Sequence, residues 1–113
     1  MNYRFLPAAE NDLIDYTDYY EHCQNGLGTD FSLEVYNAVI RILEHPHAWT
    51  RISKICRRCL VNRFPYGIIY SIEENEILIL AVMNLHRNPK RLKDRISGTI
   101  RIKLNYRELE HGC

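Results

Sequence analysis

A chain of 113 residues, 46% apolar and 26% charged, has the size and composition of one folded domain with a modest core, which excludes a disordered polar chain. No run approaches the roughly 18 unbroken apolar residues of a membrane span, since the longest, Ile77 to Met83, is only strand length. The formal net charge is only +1, but acids and bases are unevenly placed along the chain.

The opening YRFLP alternates as a short first strand. Pro7 then suits the first turn of a helix, where its missing N–H is not needed. Leu13, Tyr16, Tyr20 and Cys23 recur at spacings of three and four, which predicts an amphipathic helix from about Ala8 to Cys23 with Glu10, Asp18 and Glu21 on its wet side. QNGLGTD supplies a turn, with Thr29 and Asp30 as candidate N-caps. Phe31, Val35, Ala38, Val39 and Ile42 give a second helix, which His45-Pro46 ends because the residue before a proline avoids helical geometry. His22, His45 and His47 sit at a helix end and in the following loop without ligand-like partners, and Trp49 reads as a core plug.

Residues 46–54 are expected to be a loop. From Arg57 the period changes to two: RRCLVN, YGIIYSIE and EILILAVMN, separated by RFP and ENE, predict three consecutive antiparallel strands. The first strand must pair with one of them to satisfy its backbone. The expected fold class is therefore α+β, with two helices packed on a small, mostly antiparallel sheet in the order β-α-α-β-β-β. The domain is expected to span residues 1–96, followed by a strand-like extension at 97–113. In that extension Ile100, Ile102, Leu104 and Tyr106 alternate with Arg101, Lys103, Asn105 and Arg107, a pattern able to join a sheet edge in the same chain or build a homodimer.

From Phe5 to Ile40 the chain has seven acids and no Lys or Arg. Arg51, Lys54, Arg57, Arg58 and Arg63 then form one basic run, and Arg87, Lys90, Arg91, Lys93 and Arg95 a second. The cysteines at 23, 56, 59 and 113 are expected to be reduced thiols, because the N-terminal stretch has no secretory pattern and the core needs no staples. CRRC lacks a second Cys or His pair at zinc-ligand spacing, so neither a metal site nor a cofactor is expected.

The element order, together with RFPYGIIY, ILILAV and HRNPKRLKDR, resembles the RelE/ParE superfamily of toxins from type II toxin–antitoxin pairs, and more closely its ParE branch. The similarity runs from about Tyr3 to Arg95; its most specific parts are the FPY hairpin and the basic R-x-P segment. The resemblance implies a small cytoplasmic growth-arresting protein of the plasmid-stabilization type, neutralised by a cognate antitoxin. Some members cut messenger RNA on the ribosome, whereas ParE members poison DNA gyrase.

For a nuclease the candidate catalytic residues are His86, Arg87 and Arg58. A metal-free cut needs a proton-transfer group and cations around the phosphate, and Arg87 falls where cutting relatives keep an arginine. Two departures favour the ParE reading. The strand before the hairpin reads Arg58, Leu60, Asn62, where the cutters alternate basic residues. Gly67 stands where they place an arginine. Loss of one such cation costs on the order of 10² to 10³ in rate. The primary expectation is thus a gyrase-binding toxin with Lys54, Arg57, Arg63, Arg87, Lys90, Arg91 and Arg95 as target-binding residues. The alternatives are a ribosome-dependent endoribonuclease or a degenerate, non-toxic binding protein.

Overall fold

The computed structural model describes residues 1–86 together with Asp94 and Arg95. The elements are β1 (Asn2–Phe5), α1 (Pro7–Cys23), α2 (Leu27–Glu44), β2 (Thr50–Arg51), β3 (Arg57–Leu60), β4 (Tyr66–Ile72) and β5 (Glu76–Asn84). They form the expected α+β domain, in which the two helices cover one face of a sheet ordered β1-β5-β4-β3-β2. The strand expected to need a partner finds it in β5, pairing parallel from Asn2↔Glu76 to Phe5↔Ile79; every other pairing is antiparallel. The loop expected at 46–54 differs in one respect, because Thr50 and Arg51 pair with β3 as a two-residue edge strand. The expected extension at 97–113 lies outside the described residues.

The helices join more tightly than the sequence suggested. α2 begins at Leu27, directly after Gly26 in the left-handed region (φ 86°), so Thr29 and Asp30 fall inside its first turn and cap nothing. The cap comes from α1 instead. The Glu21 carboxylate accepts hydrogen bonds from the N–H groups of Gly26 (3.0 and 3.1 Å) and Gly28 (3.1 Å), satisfying donors that a helix N-terminus otherwise leaves to water. Gly28 is needed for the close approach: a Cβ there would lie 2.5 Å from the Thr17 carbonyl oxygen and 2.9 Å from Glu21 Cβ.

Phe31, Val35, Ala38, Val39 and Ile42 of α2 and Ala9 and Leu13 of α1 pack on Cys59, Ile68, Tyr70, Ile77, Ile79 and Val82, which point from the sheet toward the helices. At the hairpin end, Phe64 and Tyr66 enter an aromatic cluster with Tyr16, Tyr20 and Phe31, at ring-centroid distances of 4.8 to 6.4 Å. A smaller cluster (Leu6, Cys56, Ile69, Leu78, Leu80 and Ala81) lies on the other face. Leu80 and Ala81 share that face although they are consecutive, because a bulge opposite Ile69 and Tyr70 interrupts the alternation. Among the described residues no helix is long and apolar enough to cross a membrane.

Candidate target-binding surface

The FPY turn is held by its backbone and its rings. Val61 N–H donates to Tyr66 O, and Tyr66 N–H to Phe64 O, while Pro65, which has no N–H to give, offers its carbonyl to Leu85 N–H at 2.8 Å. Phe64 and Tyr66 are buried, and Arg63 is thrust outward between the strands at φ 71°. Its guanidinium is exposed, lies 3.6 Å from Asp30 and stands 5.6 Å from the Phe64 ring centre. An L residue in the left-handed region costs roughly 1–2 kcal/mol, and an exposed ion pair of that length returns little of it.

β3 divides the basic run between the two faces of the sheet. Cys59 points toward the helices, and Arg57, two residues earlier, shares its side. The Arg57 guanidinium donates to the carbonyls of His47 (3.0 Å) and Trp49 (2.8 Å), and the Trp49 indole N–H reaches the Arg41 carbonyl. Tyr70 O–H donates to the Pro46 carbonyl, fixing the same loop; burial pushes its pKa up to about 12, with the Arg57 charge pulling the other way and Cys59 adding a smaller upward push. Burial likewise raises the Cys59 thiol, against the opposing charge and hydrogen bond of Arg41, which makes it a poor nucleophile. Cys56 and Cys59 belong to opposite faces and neither is in a disulfide. Among the described residues no cluster of three or more His, Cys, Asp or Glu side chains could hold a metal ion.

Arg58 and Leu60 face away from the helices, opposite Ile69 and Gly67 of β4. The Arg58 stem lies over Gly67: a Cβ at Gly67 would meet Arg58 Cγ and Cδ at 3.0 Å and Leu85 Cδ2 at 3.3 Å. The space where the cutting relatives are expected to place an arginine is thus filled by Arg58 and Leu85. Arg58 Nε is buried without a hydrogen-bond partner. Arg58 is the one charged side chain on this face of β3 and β4, beside Leu60, Gly67, Ile69 and Ser71. His86 lies two residues beyond β5, exposed, with its N–H bound to Asn84 Oδ1 at 2.8 Å.

Lys54 is exposed in the β2–β3 turn, where its carbonyl accepts from Arg51. Arg87, Lys90 and Arg91 lie outside the described residues. Arg95 is held between α1 and β5: Nη1 and Nη2 donate to Asp12 Oδ1 (3.2 Å) and Oδ2 (2.8 Å), and Nη2 also reaches the Leu80 carbonyl at 3.3 Å. Asp12 Oδ2 accepts from Val82 N–H as well, at 3.1 Å. The clasp sits just past the point where β1 turns into α1 and leaves β5 without a strand neighbour on that side. Asp12, with the Arg95 side chain bound to it, therefore does part of what a longer β1 would do. No spacing rule links positions 12 and 95, and the sequence alone did not show the pair.

A family model described as the ParE toxin of type II toxin-antitoxin system, parDE, matches residues 3–89. No curated protein sequence matches the chain. A solved chain of the chromosomal ParDE TA system from P. aeruginosa is similar in fold, with a TM-score of 0.56 and 19% sequence identity over 76% of this chain and 97% of that one.

Proposed function

The chain belongs to the ParE toxin family of type II toxin–antitoxin systems, and on that premise we propose that it arrests growth by binding and inhibiting DNA gyrase, without chemistry of its own. The observation that carries this reading is the side of β3 and β4 turned away from the helices, where Arg58 is the lone charged group and Leu60 and Gly67 stand in place of further cations. A metal-free phosphodiester cut needs several such groups converging on one phosphate. A binding surface needs only exposed, spaced cations, since DNA is a polyanion and contacts to it are additive and salt-dependent.

Among the described candidates, Lys54 and Arg63 present exposed cations for this purpose, and Arg58 a half-buried one. Arg63 is favoured further by its backbone, because strain retained at an exposed tip where glycine would relieve it is common at functional positions. Arg87, Lys90 and Arg91 supply three further cations for the target in the sequence that follows. Arg57 and Arg95 spend their guanidinium groups on the protein's own carbonyls and on Asp12, so their contribution to target binding is the shape of the surface. The setting is the cytoplasm, and the neutralising partner is a cognate antitoxin, the pairing named for the similar P. aeruginosa system. An acidic segment that folds as it binds suits these cations.

The test is a defined translation reaction with messenger RNA 5′ ends mapped after addition of the purified protein. Messages should stay intact. New ends inside ribosome-bound codons that disappear with Arg58→Ala or His86→Ala would overturn the proposal in favour of an endoribonuclease.

A further inference from the structure

β1 is an edge of the described sheet, and its outer side is prepared for another strand. Leu6 N–H bonds the Ile79 carbonyl, so the alternation along β1 turns the N–H and C=O groups of Tyr3 and Phe5 away from β5. On the helix side of this edge the rings of Tyr3 and Phe5 (6.1 Å apart) continue to Tyr36 of α2 (6.0 Å from Phe5). Leu33 and Ile40 flank Tyr36 at helical spacing, and Tyr3, Leu33, Tyr36 and Ile40 are 41%, 58%, 41% and 52% exposed. The other side of the edge is polar, with the Arg4–Glu76 ion pair at 3.1 Å and Glu74 in the neighbouring turn. The edge is therefore apolar toward the helices and charged on the other side.

One segment of this chain has the matching pattern. Residues 99–107, TIRIKLNYR, alternate apolar Ile100, Ile102, Leu104 and Tyr106 with Arg101, Lys103 and Arg107. They lie beyond the residues matched by the family model. We propose that this segment adds to the outer edge of β1 in its own chain, placing Ile100, Ile102 and Leu104 against Tyr3, Phe5, Tyr36 and Ile40, and its basic residues beside Glu74 and Glu76.

Reach favours the same chain over a second copy. Arg95 is fixed to Asp12 and to the Leu80 carbonyl, one residue past the Phe5↔Ile79 pair that ends the β1–β5 ladder. A strand outside β1 runs about 10 Å from β5, and the four residues from Arg95 to Thr99 span up to roughly 13 Å. A link this short gives an effective concentration in the millimolar range, far above that of a second molecule in dilute solution. Covering this edge also removes a template for edge-to-edge association.

The test is amide hydrogen exchange on the full chain with its mass followed by light scattering. The amides of Tyr3, Phe5 and residues 100–106 should exchange at least about tenfold more slowly than in an unstructured chain, with monomer mass at every concentration. Ile102→Asp with Leu104→Asp should release both sets together, and Ile40→Asp on the exposed side of α2 should release residues 100–106. Free-chain exchange at 100–106 in the unaltered protein overturns the proposal. So does protection that fades on dilution alongside a dimer mass, which would assign the edge to a second copy.

Discussion

Replacing Asp12 with alanine removes three hydrogen bonds at once: one from the Val82 N–H and two from Arg95. The Val82 donor lies on the stretch of β5 beyond the end of β1, and leaving it unmet costs about 1–2 kcal/mol. The ion pair is bidentate and mostly shielded, with the Asp12 side chain 17% and the Arg95 side chain 32% exposed, but desolvation offsets much of its attraction, so about 1 kcal/mol is assigned to it. Asp12→Ala should therefore destabilise by about 2–3 kcal/mol. Asp12→Asn keeps an acceptor for Val82 and loses the charge, and Arg95→Ala loses the pair and the contact to Leu80; each should cost about 1 kcal/mol. At this chain length the alanine variant should melt roughly 10 °C lower. Urea titration of all three variants and of the Asp12→Ala, Arg95→Ala double variant measures the terms and their coupling. If Asp12→Ala costs no more than Asp12→Asn, the carboxylate is not satisfying Val82, and the account of the clasp fails.

Glu21→Ala should lower stability by about 1 kcal/mol through loss of the cap on α2, read as a fall in the urea midpoint. Gly28→Ala should cost about 1–3 kcal/mol in the same titration despite alanine's higher helix propensity, because its Cβ would press on the Thr17 carbonyl; a gain in stability would refute the close approach. Tyr70 holds its proton in the folded state up to about pH 12, whereas the unfolded phenol ionises near 10, so its contribution is complete below pH 10 and is lost as pH rises toward 12. Tyr70→Phe should flatten the alkaline fall in melting temperature, and an unchanged slope would count against that assignment. Lys54→Glu should weaken gyrase inhibition several-fold and leave the melting temperature within about 2 °C of the unaltered protein, as expected of an exposed side chain.

What the sequence revealed was local. Period and punctuation placed both helices and the strands β3, β4 and β5, and Pro7, His45-Pro46 and the FPY turn act where their backbone chemistry says they should. Partnerships across the chain were not legible. Glu21 read as a wet-face acid because its partners are backbone N–H groups, which carry no sequence signal. Thr29 and Asp30 looked like caps, but Gly26 had already turned the chain two residues before Gly28. β2 is too short to show a period, and β1's choice of β5 depends on a crossover that no local pattern encodes. The basic run at 51–63 resembled one patch in sequence, yet strand alternation sends Arg57 toward the helices and Arg58 away from them. The Arg58–Gly67–Leu85 arrangement shows what the glycine noted in the sequence accommodates: the stem of an arginine already present.

The most direct measurement is gyrase supercoiling of relaxed plasmid, titrated with the folded protein at two salt concentrations, with Arg63→Ala and Lys54→Glu alongside. The account predicts dose-dependent loss of supercoiling that weakens with salt and in both variants. Full supercoiling at a large molar excess of the unaltered, folded protein would contradict it.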